Sequence, residues 1–142
     1  MTDPRPVPAL DLETRGFFEA AAEGRLAVRA CTECGFVLHM PRTYCHRCGS
    51  WESEWRTVAG VGILYSWCVV EHQVHPAFPA PYTLVMVDLS DAPGTRLVGY
   101  LPGRPALAAG QEMRARFEIL DEKVGVPRWE TISDDLTRQG WE

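Results

Sequence analysis

Four cysteines fall as two copies of one turn, Cys31-Thr32-Glu33-Cys34-Gly35 and Cys45-His46-Arg47-Cys48-Gly49. Each turn aims two thiolates at one point, its glycine permits the tight backbone, and two such turns close a tetrahedron around a single ion. Zinc suits four sulfurs in that geometry best, with iron in a rubredoxin-like site as the chemical alternative. Four sulfurs fill the coordination sphere, so the metal holds a fold together and neither activates water nor polarises a substrate. The sequence therefore predicts one structural Zn2+ per chain on Cys31, Cys34, Cys45 and Cys48. His39 and His46 lie nearby, yet neither is needed as a ligand.

The fifth cysteine, Cys68, stands between Trp67 and Val69. It reads as a small buried hydrophobe rather than a nucleophile served by His72 or His75. The chain has no Gly-x-Ser-x-Gly elbow, no glycine-rich phosphate loop and no helix bearing paired carboxylates, so no catalytic residue of its own is expected. Fourteen Lys and Arg against nineteen Asp and Glu leave a net charge of −5, the wrong sign for a nucleic-acid partner. No apolar run is long enough for a membrane span. Residues 1–6 lack a basic stretch followed by an apolar one, so a reducing cytoplasm is expected. At 142 residues, 46% apolar and 23% charged, the chain is an ordinary globular mixture with enough length for a packed core.

Several elements must position these groups. Residues 1–24 read as a proline-rich arm and a helix over 12–23, capped by Asp11 and stopped by Gly24. Phe17 and Phe18 on that helix point about 100° apart, so one can enter the core while the other faces out. Residues 25–57 read as the zinc ribbon: an alternating strand over 25–30 runs into Cys31, and the linker 36–42 is long enough for a hairpin. Strand text follows over 58–70, where Gly60 and Gly62 mark a bulge or sharp coil. Beyond a loop at 71–81, further strands are expected over 82–89, 95–101, 112–120 and 126–132. Five strands at these spacings suggest an OB-type barrel over 58–132, with 133–142 as a C-terminal tail. The fold class is thus mainly β: an N-terminal helix, a rubredoxin-like zinc ribbon, then a five-stranded OB-fold barrel. The strand over 112–120 has one wet face, but 63–70 and 82–87 are apolar on both, and a small barrel cannot cover all of that surface. An exposed apolar patch is expected.

The order and spacing of Phe17-Phe18-Glu19-Ala20, Gly24-Arg25-Leu26, both cysteine turns with Pro41-Arg42 between them, Gly60-Val61-Gly62, Tyr65-Ser66, His75-Pro76-Ala77-Phe78, Pro81-Tyr82 and Leu97-Val98-Gly99 carry a resemblance. The chain resembles the zinc-ribbon plus OB-fold proteins associated with acyl-CoA metabolism, long catalogued as a domain of unknown function. It departs from them at His46 and Met40, where proline is common, and at Cys68, where Thr is frequent; none of these is a ligand. The resemblance implies a noncatalytic accessory subunit that binds and supports a thiolase-type acyl-CoA enzyme, a retro-aldolase or ketothiolase, with steroid side-chain degradation as one setting. A hot-dog-fold enoyl-CoA hydratase is the alternative partner. The two folds by themselves also leave open a single-stranded nucleic-acid module, which the charge opposes, and a free-standing acyl-CoA hydrolase built on Cys68.

A CoA thioester carries several phosphate charges, so a protein touching it offers arginines. Arg42, Arg47, Arg56, Arg96 and Arg104 are available, and Arg42 is preferred as the acyl-CoA contact. Prolines stiffen the loop carrying Phe78, and aromatic residues dominate binding hot spots. Phe18, Pro76, Phe78, Pro81 and Tyr82 are therefore expected to touch the partner enzyme, in an assembly of two enzyme and two accessory chains.

Overall fold

A computed structural model describes residues 5–132; the expected tail at 133–142 and residues 1–4 lie outside the described part. The chain divides into two compact units. One comprises Val7–Ala59 with Phe117–Val126, and the other gathers the residues up to Pro6, Gly60–Arg116 and the segment from Pro127 on.

In the first unit the Asp11 carboxylate accepts hydrogen bonds from the backbone N–H of Glu13 (3.0 Å) and Thr14 (2.8 Å) and from the Thr14 hydroxyl (2.8 Å). Asp11 thus caps a turn rather than the helix itself, so α1 (Arg15–Ala22) begins three residues later than its apolar spacing suggests. At the other end Gly24 adopts φ 78°, and the N–H groups of Gly24 and Arg25 reach back to the carbonyls of Ala21 (3.0 Å) and Ala20 (2.9 Å). These are the two bonds of a Schellman ending, which a glycine makes at no steric cost.

Strand β1 (Leu26–Cys31) is buried on both faces except at Arg29, and α1 packs against it. It pairs antiparallel with β2 (Ser53–Val58), Leu26 opposite Val58 and Cys31 opposite Ser53. The sequence reading gave no strand at β2, whose Ser53, Glu54, Arg56 and Thr57 are polar on both faces. Its place is fixed by Trp55, which fills the space left by the missing side chain of Gly16 on α1 and carries the Arg29 guanidinium 5.3 Å from its ring. The expected hairpin at 36–42 reduces to a single bridge, Ala30 to Val37.

The five-stranded sheet has the order β5-β4-β3-β6-β7, an OB-fold with β3 (Val61–Val70) at its centre, and all of it but residues 117–126 falls in the second unit. Along one side β3 pairs with β4 (Tyr82–Leu89), and β4 with β5 (Arg96–Pro102). On the other side β3 meets β6 (Glu112–Asp121) at Val61, Gly62 and Ile63, and β7 (Val124–Thr131) lies beyond β6. Leu64, Val85, Val87, Leu97, Met113 and Trp129 form the buried face. The opposite face remains open, with Ile63 38%, Tyr65 50% and Val98 60% exposed. Among the described residues no helix is long and apolar enough to cross a membrane.

The Asp11 turn gives a first test. Hydrogen bonds from Thr14 hold the Asp11 carboxyl below its ordinary pKa. A depressed carboxyl stabilises the fold above its unfolded pKa, and that contribution disappears as pH falls through the lower folded value. Asp11→Ala is expected to raise amide exchange at Glu13 and Thr14 at neutral pH while leaving β1 protected; unchanged exchange there would show that the cap is idle.

Candidate functional site

The ribbon closes through its two turns. In each, the glycine N–H returns to the carbonyl of the first cysteine, Gly35 to Cys31 at 2.9 Å and Gly49 to Cys45 at 2.8 Å, with φ of 76° and 82° at the glycines. The first cysteine of each turn is buried, Cys31 at 2% and Cys45 at 1% exposure, against Leu38 and the half-buried Phe36. The second of each, Cys34 and Cys48, reaches solvent.

The four sulfurs lie within 4.8 Å of one another, with Cys31 to Cys48 at 3.5 Å and Cys34 to Cys45 at 3.7 Å. A tetrahedron with zinc–sulfur bonds of about 2.3 Å has edges of about 3.8 Å, so the four sulfurs fit one zinc ion with little movement. Hydrogen bonding from the Cys34 backbone N–H lowers the Cys31 thiol to about 7, so this sulfur ionises readily. At Cys48 the Ser50 backbone N–H also acts to lower the pKa, but desolvation and the neighbouring Cys31, Cys34 and Cys45 sulfurs outweigh it and push the thiol up to about 12. Once one thiolate is present the next resists ionising until a cation arrives. Neither nearby histidine joins the set: His46 packs edge-on against Phe36 at 5.1 Å, and His39 is exposed. Among the described residues no other group of three or more His, Cys, Asp or Glu gathers in this way.

Comparison with known proteins settles the ribbon's kind. The family model for the ChsH2 rubredoxin-like zinc ribbon domain matches residues 18–52, and that for the ChsH2 C-terminal OB-fold domain matches residues 55–118. One chain of the solved Ltp2-ChsH2(DUF35) aldolase superposes with a TM-score of 0.78 at 32% identity, covering 87% of this chain and 98% of that one. The chain belongs to the ChsH2 family. Its four cysteines are therefore those of a ChsH2 zinc ribbon, a closed centre for one structural zinc. A probable enoyl-CoA hydratase alpha subunit of Thermomonospora curvata is 40% identical over 99 residues, 70% of this chain and 30% of that protein. The chain thus spans under a third of the length of that curated relative. A DUF35-family protein of unknown function from Sulfolobus solfataricus, 15% identical with a TM-score of 0.58 over 87% of this chain and 85% of that one, shows the shared ChsH2-like fold alone.

The other singled-out residues are spread over both units of this ChsH2-family chain. Phe18 on α1 is half-buried, edge-to-face with Phe17 at 5.4 Å, so neither ring is wholly inside or outside. Phe78 packs onto its own sheet, 5.3 Å from Tyr100 and 6.3 Å from Tyr82, while Pro76 and Pro81 are exposed. Arg42 is exposed, with no partner among the described residues. Arg96 is paired with Asp88 at 2.7 Å, and Arg104 with Glu71.

Cys68 corrects the sequence reading, because it is exposed. In an unbroken strand it would share the face of Leu64, but an irregularity between Leu64 and Ser66 inserts one residue into β3. Leu64 stands opposite Val87, Ser66 opposite Met86 and Cys68 opposite Leu84, so the bulge turns Cys68 to the outer face. Sequence reading also missed Arg5 and Arg128, whose guanidiniums lie 4.8 Å and 5.3 Å from the Tyr100 ring. Nothing local signals that contact, since the three residues are far apart in the chain.

Proposed function

We propose that the chain is a noncatalytic subunit that binds and supports a thiolase-type acyl-CoA enzyme, a retro-aldolase or ketothiolase, in a cytoplasmic assembly of two enzyme and two accessory chains. The observation that carries this reading is the match to nearly the whole length of one chain in the Ltp2-ChsH2(DUF35) aldolase. The four-sulfur centre supports it as well, because it leaves no metal position open for substrate. The enoyl-CoA hydratase relative favours a second reading, a hydratase partner of the hot-dog fold, in which the same module serves a different reaction. The net charge of −5 opposes a nucleic-acid partner.

Within this reading Phe18, Pro76, Phe78, Pro81 and Tyr82 touch the enzyme subunit, with the exposed prolines framing the outward edge of Phe78. Arg42 meets the phosphates of acyl-CoA, and the enzyme's setting includes steroid side-chain degradation. Co-expression with a thiolase-type acyl-CoA enzyme and, separately, with a hot-dog-fold hydratase tests the whole. A complex is expected on purification, with acyl-CoA turnover that neither chain gives alone; retro-aldol cleavage and hydration products distinguish the two readings. Phe18→Ser should weaken the complex while zinc stays in place, and Arg42→Glu should raise the KM for acyl-CoA. Turnover by this chain alone, or an enzyme subunit fully active and unbound, would overturn the proposal.

A further inference from the structure

The zinc ribbon is half open. Cys31 and Cys45, at 2% and 1% exposure, are sheltered with Leu38 and Phe36, whereas Cys34 and Cys48 reach solvent. Two short sulfur contacts run between the turns, and each joins an exposed sulfur to a buried one: Cys48 to Cys31 at 3.5 Å, and Cys34 to Cys45 at 3.7 Å. A small oxidant arriving from solvent therefore meets a sulfur that has a sheltered second sulfur of the other turn close behind it.

The surroundings favour attack at those two positions. A zinc ligand is a thiolate, the form of cysteine that oxidants select, and reactive cysteines are the accessible ones in positive surroundings. Arg47 and His46 stand between Cys45 and Cys48 in the second turn, both exposed, with the Arg47 guanidinium 5.4 Å from the Phe36 ring centre. Zinc itself has no redox chemistry, so any electrons given up at this centre come from sulfur. A ligand set with all four sulfurs buried would be shielded from the same reagent.

We propose that the ribbon is a hydroperoxide-sensitive switch that releases its zinc by forming two disulfides across the turns, Cys31–Cys48 and Cys34–Cys45. The Cys48 thiolate attacks one peroxide oxygen; the O–O bond breaks, hydroxide leaves, and Cys48 becomes a sulfenic acid. The Cys31 thiolate then attacks that sulfur, the S–O bond breaks with loss of a second hydroxide, and the disulfide closes. Two thiolates have passed two electrons to one peroxide. Cys34 and Cys45 repeat the sequence with a second peroxide, and Zn2+, stripped of its thiolates, departs unreduced. A disulfide of about 2.05 Å requires each pair to close by only about 1.5 Å, a movement that side-chain rotation supplies. The bridges tie one turn to the other, so the oxidised ribbon stays tethered and a thiol reductant with zinc restores it. Bridges confined to each Cys-x-x-Cys turn would leave the two turns unjoined.

The test uses the zinc-loaded full chain carrying Cys68→Ser, which takes the exposed fifth thiol out of the readout; should that variant fold poorly, the parent serves, with the Cys68 peptide followed separately. Hydrogen peroxide is added in the presence of a zinc-chelating dye. About one zinc per chain should be released as the chain loses about four mass units, the hydrogens of two disulfides counted against the reduced apo chain. Peptide mapping after alkylation should find Cys31 joined to Cys48 and Cys34 to Cys45. Dimedone, which traps sulfenic acids, should tag Cys34 and Cys48 and spare Cys31 and Cys45. Dithiothreitol followed by zinc should return the parent mass and metal content. Zinc retained at a peroxide dose that fully oxidises reduced glutathione in the same time would overturn the proposal. So would bridges confined to each turn, a first tag on a buried cysteine, or oxidation to sulfinic and sulfonic acids that dithiothreitol does not reverse.

Discussion

Cys45→Ser is expected to give a chain that no longer carries zinc one-to-one and whose ribbon unit opens to proteolysis between residues 31 and 48. Cys45 is 1% exposed and packs with Cys31 and Leu38 in a cluster of three buried residues. That cluster is too small to hold the two turns together by apolar burial. Structural zinc supplies about 10–16 kcal/mol of apparent binding free energy in comparable small sites, at least as large as the roughly 5–15 kcal/mol by which whole domains are stable. A serine hydroxyl in place of the buried thiolate removes a ligand and leaves a polar group without its ion. Cys48→Ser should be milder, since Cys48 reaches solvent and water can take the vacated position. Metal analysis and limited proteolysis check both variants. A metal-free Cys45→Ser chain that resists protease as well as the parent would show that zinc is not structural.

How much of this was legible from residues follows from the range of each interaction. The metal centre is written in two five-residue turns, and local spacing alone aims the sulfurs. The strands of the OB sheet were legible as runs rich in β-branched and aromatic residues between turn residues, as in Tyr82 to Leu89 ahead of Ser90-Asp91-Ala92-Pro93-Gly94. The polar β2 was not, because it owes its place to pairing with β1 and to the seat of Trp55 on Gly16. Cys68 reads from sequence as a buried hydrophobe because nothing local marks the shift between Leu64 and Ser66, where no glycine stands. A single inserted residue reverses every side chain after it. The cluster on Tyr100 was invisible for a different reason, since Arg5, Phe78 and Arg128 meet there from distant parts of the chain.

Trp129→Ala should be the most damaging single change in the second unit. The indole is 1% exposed and is the largest fully buried side chain among the described residues. It rests on Gly99 of β5, where an added Cβ would overlap the ring and stand 2.8 Å from its Nε1. Strands β5 and β7 are the two ends of the sheet order, so the ring of Trp129 joins the edges that no backbone ladder connects. Burying an aromatic ring this fully implies a loss of about 3–5 kcal/mol on truncation. Gly99→Ala, which overfills the same contact, should cost roughly 1–3 kcal/mol. The indole Nε1 has no hydrogen-bond partner among the described residues. A buried donor without a partner costs about 1–3 kcal/mol, so Trp129→Phe, which removes it while keeping a ring, should lose far less than Trp129→Ala. The smaller ring also withdraws atoms from the position of the new Cβ, so Gly99→Ala should be less harmful in the Trp129→Phe background than in the parent. Urea denaturation of the four chains measures that coupling. Equal losses in the two backgrounds would mean that Gly99 and Trp129 do not meet as described, and that the barrel is closed at its edges by something other than this ring.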